Sequence, residues 1–161
     1  MKVLGIDPGI ERLGWAILEK EDNKFKYLSS GVKKTLKTKE HKTRLLEIHD
    51  FLDNLIKAER PEIISLEKIF FSKNVKTALI IGEVRGIILM LAAKHNLRTK
   101  EFAPNEIKLS LAGYGHADKV SIFNMVKMTV AIPEKKILDD ESDALAIATA
   151  AFIHRDPLQM N

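Results

Sequence analysis

The residues best suited to chemistry are four carboxylates in three separated segments: Asp7 after the apolar run 3–6, Glu67 after the run 62–66, and Asp140 with Asp143 at the head of a C-terminal amphipathic stretch. Brought together, they would form a two-metal nuclease site. A phosphodiester is already anionic, and its transition state gathers further charge on the attacking and leaving oxygens. Two hard cations about 3.5–4 Å apart stabilise both oxygens and generate the attacking hydroxide. Four carboxylates hold two such ions near neutrality, and magnesium prefers oxygen ligands of this kind.

Each acid also has an ordinary explanation. Asp7 precedes Pro8-Gly9, and Asp is common where a strand ends in a turn. Glu67 can be the first solvated residue after a buried strand. Asp140 fits a helix N-cap and Asp143 the capping-box position, where both complement the helix dipole. The functional reading instead places Asp7 at the end of a central strand, pointing into the crevice beyond the strand ends. If the strands of Asp7 and Glu67 are adjacent and parallel, the two carboxylates emerge side by side and repel, which a divalent cation relieves. Asp140 and Asp143 share one helix face, with Cβ atoms about 5–6 Å apart. The following apolar residues, Ala144, Leu145, Ile147, Ala148, Ala151 and Phe152, pack that helix on a sheet and fix where the acids point.

The elements that must position these acids follow from periodicity and punctuation. Extended stretches over 2–7, 13–19 and about 25–36 are separated by Asp-Pro-Gly and by a polar turn at 21–24, which predicts a three-strand meander. Leu45, Ile48, Leu52 and Leu55 recur at helical spacing within 40–58, ahead of Arg60-Pro61. A buried strand over 62–67, a long helix over 75–95, a strand over 96–102, short helices from Pro104 and over 119–130, and a last helix over 140–154 complete the series. The order βββαβαβα with a later helix predicts a mixed α/β sheet in a single domain spanning 1–161.

Composition narrows the chemistry. The 161 residues carry 26 Lys plus Arg against 22 Asp plus Glu, a net charge of +4 and a pI near 9.2, a mild bias towards a polyanionic partner. There is no cysteine, which excludes a disulfide framework, thiol catalysis and thiolate zinc sites. The apolar run at the N-terminus is too short for a signal peptide, and the apolar region 77–93 is interrupted by Glu83 and Arg85. The expectation is therefore a cytoplasmic protein without a membrane span.

Gly5-Ile-Asp7-Pro-Gly9 with Gly14, Glu67-Lys-Ile-Phe70-Phe-Ser-Lys-Asn74 and Asp140-Glu-Ser-Asp143-Ala-Leu-Ala146 together resemble the RuvC family of Holliday junction resolvases. Gly82-Glu-Val-Arg85-Gly86 and Gly113-Tyr-Gly115-His-Ala-Asp-Lys119 also match family signatures, in order, so the resemblance spans nearly the whole chain. It implies a ribonuclease H-like fold: a five-stranded mixed sheet flanked by helices, with the second strand antiparallel to its neighbours. It places the catalytic, metal-holding acids on Asp7, Glu67, Asp140 and Asp143, with Asp7 bridging two magnesium ions that manganese can replace. It further implies a homodimer that nicks opposed strands of a four-way junction, with branch-migration motor proteins as partners.

The family pattern puts the junction-wedging aromatic at Phe70, with Phe71 a second aromatic beside it; base stacking is worth about 1–3 kcal/mol. Lys108 and Lys119 match basic positions implicated in DNA contact and, for Lys119, catalysis. Lys73 and Arg85 are further candidate phosphate contacts, and His116, in the loop of the Gly113-Tyr-Gly115 turn, is placed to approach DNA; His41, His49, His95 and His154 belong to no constellation. The helix containing Ile80, Ile81, Val84, Ile87, Ile88 and Leu91 is apolar around more than one face, and Gly82 and Gly86 would permit close approach of a second copy. Three other readings stay open: a catalytically silent junction-binding protein, a ribonuclease H-like nuclease on another substrate such as an RNA–DNA hybrid, and an ATPase of the sugar-kinase or actin type.

Overall fold

Strict alternation along the first strands decides which side chains meet which helices. The computed structural model describes residues 1–22, 24–68 and 75–154, which form β1 (Lys2–Asp7), β2 (Arg12–Glu21), β3 (Lys24–Lys34), α1 (His41–Glu59), β4 (Ile63–Glu67), α2 (Val75–Lys94), β5 (Arg98–Phe102), α3 (Pro104–Ala112), α4 (Lys119–Thr129) and α5 (Asp139–Ile153). The sheet order is β3-β2-β1-β4-β5. Strands β1 and β2 pair antiparallel, as do β2 and β3, whereas β4 runs parallel to both β1 and β5. This is the expected ribonuclease H-like architecture.

Successive strand residues face opposite sides of a sheet. On one side Leu4, Ile6, Leu13, Ile17, Ile64 and Leu66 pack with Ile48, Leu52, Val84 and Ile88 of α1 and α2. On the other, Val3, Ala16, Leu18 and Ile63 pack with α3, α4 and α5 through Ile107, Val126, Leu145 and Ile147. Each fully buried Leu or Ile contributes roughly 1.5–3 kcal/mol of transfer free energy. Because Val3 and Ile63 face α5, Asp7 and Glu67, an even number of residues further on, face it too.

Local signals set the element ends. Helix α1 stops at Arg60 in a left-handed conformation (φ 49°), immediately before Pro61, and α3 begins with Pro104 and ends at Gly113 (φ 80°), where only glycine adopts the angle without strain. Between α1 and α2, buried Asp53 accepts hydrogen bonds from Lys94 at 3.0 Å and His95 at 2.7 Å, and pairs with Lys57 at 2.5 Å. His95 is thus part of a structural brace. Among the described residues, no helix is long and apolar enough to cross a membrane.

Helix α5 starts one residue earlier than the sequence suggests. Its N-cap is Leu138, and the Glu141 carboxylate accepts from the Leu138 N–H at 3.3 Å. The capping position is therefore taken by Glu141, and the ordinary explanation of Asp140 and Asp143 as cap residues does not hold.

Candidate functional site

Three contacts seat α5 on the sheet and thereby bring the acids together. In the β1–β4 ladder Ile6 pairs with Leu66, so the next residues, Asp7 and Glu67, leave the sheet side by side. In the β1–β2 ladder Asp7 pairs with Gly14, and a Cβ on Gly14 would overlap the Asp140 carbonyl. Gly5 gives the same access to Ala144 and Ala148. Ser65, fully buried on β4, donates from Oγ to the Ile147 carbonyl at 3.0 Å. Missing side chains on β1 and β2 thus let the first turn of α5 descend onto the strand ends.

A second anchor fixes that turn from the side. Glu141 is buried, accepts from Ser30 Oγ at 2.5 Å and from Lys135 Nζ at 2.7 Å, and ties α5 to β3. Neighbouring side chains in a helix point in fixed directions. Anchoring Glu141 therefore orients Asp140 and Asp143 on the adjoining faces.

The electrostatics show one shared site. Burial pushes the Asp7 carboxyl up to about 7, helped by the charges of Asp143, Asp140 and Glu67 and opposed by Lys119. Glu67 is raised by burial first and by Asp143 second, with Lys119 and Lys108 acting against. Two organic cations already stand among the acids: Arg12 forms an ion pair with Asp140, and Lys119 Nζ donates to Asp143 at 2.8 Å and Asp139 at 2.9 Å. Burial works against the charge on Lys119, but its bonds to Asp143 and Asp139 outweigh it and raise the pKa above the ordinary lysine range.

Among the described residues, no three Asp, Glu or His side chains form a ready ligating cluster; the acids on α5 are turned to Arg12 and Lys119 instead. The donor set nonetheless fits hard divalent cations. It is all oxygen, and it destabilises its own central negative charge in the absence of metal. An aqueous cleft of about 290 Å³ opens beside it, lined by Glu67, Asp143, Lys108 and Lys119 over Ile107, Ile122, Ala146 and Ile147.

The structure brings Asp7, Glu67, Asp140, Asp143, Lys108 and Lys119 to one place, at the cleft or in the carboxylate set. Arg85 departs from the phosphate contact expected of it: it is directed inward, to Glu67 and Glu101. Phe70, Phe71 and Lys73 lie outside the described residues. Arg12, Asp139 and Glu141 were missed by sequence reasoning. Glu141 had a local signal, since a helix start placed one residue earlier puts it at the third helical position; Arg12 and Asp139 had none, because their partners lie far away in the chain.

The comparisons with known proteins give the family and the fold. The family model for "Crossover junction endodeoxyribonuclease RuvC" matches residues 3–151. A curated protein of that name from Caldicellulosiruptor saccharolyticus is 42% identical over 149 residues, covering 92% of this chain and 90% of the relative. Another from Petrotoga mobilis is 42% identical over 154 residues, covering 96% and 93%. Among solved structures, Thermus thermophilus RuvC in complex with a Holliday junction substrate superposes with a TM-score of 0.89 at 32% identity, covering 95% of this chain and 93% of that one.

Proposed function

The chain belongs to the RuvC family of crossover junction endodeoxyribonucleases, and from that premise we propose that Asp7, Glu67, Asp140 and Asp143 are the acids with which it holds metal and cuts DNA. It is a metal-dependent endonuclease that resolves Holliday junctions by hydrolysing phosphodiester bonds. Magnesium, as two ions per subunit with manganese able to substitute, suits the all-oxygen donor set. The observation that carries the assignment is the convergence of the acids, with Asp7 and Glu67 ending adjacent parallel strands and the Asp140 turn of α5 seated on them over Gly14 and Gly5; the raised Asp7 carboxyl is in keeping with it.

Asp7, at the meeting point of β1, β4 and α5, would hold metal together with Glu67 on one side and Asp140 with Asp143 on the other. When bound, the ions lower the pKa of a coordinated water and stabilise the developing charge on the phosphate oxygens. Lys119, bonded here to Asp143 and Asp139, would be free to meet a phosphate oxygen if metal neutralised those acids, and would so serve catalysis and DNA contact together. Lys108, across the cleft, neutralises the adjacent backbone. Phe70 or Phe71 stacks at the opened crossover, and Lys73 meets a nearby phosphate.

The working unit is a single domain over 1–161 that acts as a cytoplasmic homodimer, with one site per subunit and branch-migration motor proteins as partners. Leu79 and Met90 on α2 are 63% and 51% exposed, Gly82 and Gly86 have open space around their missing Cβ, and the four lie on one stripe of the helix. That stripe suits a second copy.

The test compares wild type with Asp7→Asn on labelled four-way junction, linear duplex and RNA–DNA hybrid in magnesium. Paired symmetric nicks confined to the wild-type junction reaction are expected, with junction binding preserved in the variant. Normal cleavage by Asp7→Asn would overturn the site, and preferential cleavage of the hybrid would move the substrate.

A further inference from the structure

Helix α2 carries a guanidinium in its middle that faces neither solvent nor the cleft. The Arg85 side chain is 13% exposed. Its Nη1 donates to the Glu67 carbonyl at 2.8 Å, and its Nη2 donates to Glu101 Oε2 at 2.5 Å. Glu67 is the last residue of β4, and its ladder with β5 ends at the Glu67–Phe102 pair. The next peptide is held from the opposite direction, since Lys68 N–H donates to the Phe102 carbonyl at 2.8 Å.

Both terminal nitrogens of Arg85 are therefore engaged, and its charge is matched by Glu101. A guanidinium used in this way has little left for a phosphate. Its geometry suits another task. A planar fork binds two acceptors at a fixed separation, which an ammonium cannot do, and here the two acceptors are the main chain of one strand end and the side chain of the neighbouring strand.

We propose that Arg85 is a positioning residue for Glu67: by joining the Glu67 carbonyl to Glu101, it sets the angle at which the Glu67 carboxylate enters the metal site. The role rests on the assignment of Glu67 to that site. The Glu67 side chain leaves the α5 face of β4 while its carbonyl is gripped from α2. The grip therefore lies behind the acid and leaves the DNA side open. It also connects the acid to α2, whose outer stripe is the surface assigned to the second subunit. Groups that orient a metal-holding side chain typically change activity or metal affinity by about 10–100-fold when removed.

Arg85→Gln, Arg85→Lys and Glu101→Gln would be compared with wild type and Glu67→Gln in the full chain. Four quantities would be measured: junction affinity without divalent metal, single-turnover cleavage of saturated junction across a magnesium titration, the rise in Tm caused by magnesium alone, and the Tm itself. Arg85→Gln is expected to slow cleavage of bound junction roughly 10–100-fold and to raise the magnesium midpoint of both cleavage and Tm, with junction affinity within about twofold of wild type. Arg85→Lys, able to keep one bond at a time, should fall between; Glu101→Gln should show the same pattern more weakly.

Loss of junction affinity with an unchanged bound rate in Arg85→Gln would overturn the proposal in favour of a phosphate contact. If Arg85→Gln does not fold, Arg85→Lys decides, and wild-type rate and magnesium midpoint in that variant would also overturn it. Glu67→Gln separates the two assignments. Wild-type behaviour there removes Glu67 from the site, whereas an inactive Glu67→Gln beside a normal Arg85→Gln removes only the positioning role.

Discussion

At the scale of single residues, Asp7 turns electrostatic repulsion into a property that pH reveals. Its carboxyl stands at about 7 in the folded, metal-free protein against 3.8 as a free side chain, so the folded state binds this proton more tightly than the unfolded one. The stabilisation is complete below about pH 4 and is lost as pH rises towards 7. Metal-free Asp7→Asn should therefore be more stable than wild type above pH 7, on the order of 1–4 kcal/mol, with the gap closing in acid. Denaturant melts in chelator at pH 4 and pH 8 would check this, and magnesium should restore the wild type alone. Arg12 makes a related claim, because its ion pair with Asp140 stands where a metal would act. Arg12→Gln should lower the magnesium midpoint of the Tm rise about two- to fivefold, the scale of an exposed ion pair. The four acids were legible in the sequence because each ends an apolar run or opens a helix. Arg12 was not, since its partner lies on α5 and nothing local distinguishes it from a solvated arginine.

At the scale of elements, the site depends on how deeply α5 sits. Gly14 and Gly5 remove the two Cβ atoms that would collide with its backbone, and Ser65 and Glu141 hold it there. Gly14→Ala should push the Asp140 end of α5 away from Asp7, at a cost of about 1–3 kcal/mol for overpacking. Cleavage should fall further than stability implies, because a displacement near 1 Å costs roughly 100-fold in a metal-assisted reaction. Gly82→Ala offers the contrast: its Cβ meets open space, so α2 should gain up to about 1 kcal/mol in the isolated subunit. Thermal melts and single-turnover rates on both variants would separate the effects. Strand and helix order was readable from period and turn residues, and every predicted element exists with its expected bounds within two residues of the observed ones. The exact head of α5 was not readable, because Glu141 draws Ser30 and Lys135 from other segments. Gly14 looked like part of a motif in the sequence, and only the packed helix supplies its reason.

At the scale of the whole molecule, the sheet order β3-β2-β1-β4-β5 was not readable from periodicity, since alternation tells which face a residue takes but not which strand lies beside it; the family resemblance implied only a mixed five-stranded sheet with its second strand antiparallel to its neighbours. That order puts the four carboxylates of the proposed metal site at one end of the sheet and α2 on the face opposite α5. One site cuts one strand, so two symmetric nicks require two subunits. Leu79 and Met90, exposed on α2, offer an apolar stripe, and apolar patches of this kind mark association surfaces. Replacing both with Glu places two like charges on each side of a self-complementary interface, which desolvation and repulsion both oppose. Sedimentation equilibrium should show a dimer for the wild type and a monomer for the double variant. The magnesium-induced rise in Tm should survive, because the four acids belong to one chain. Paired nicking should be lost, and dimeric behaviour with intact paired cleavage in the double variant would remove α2 from the interface.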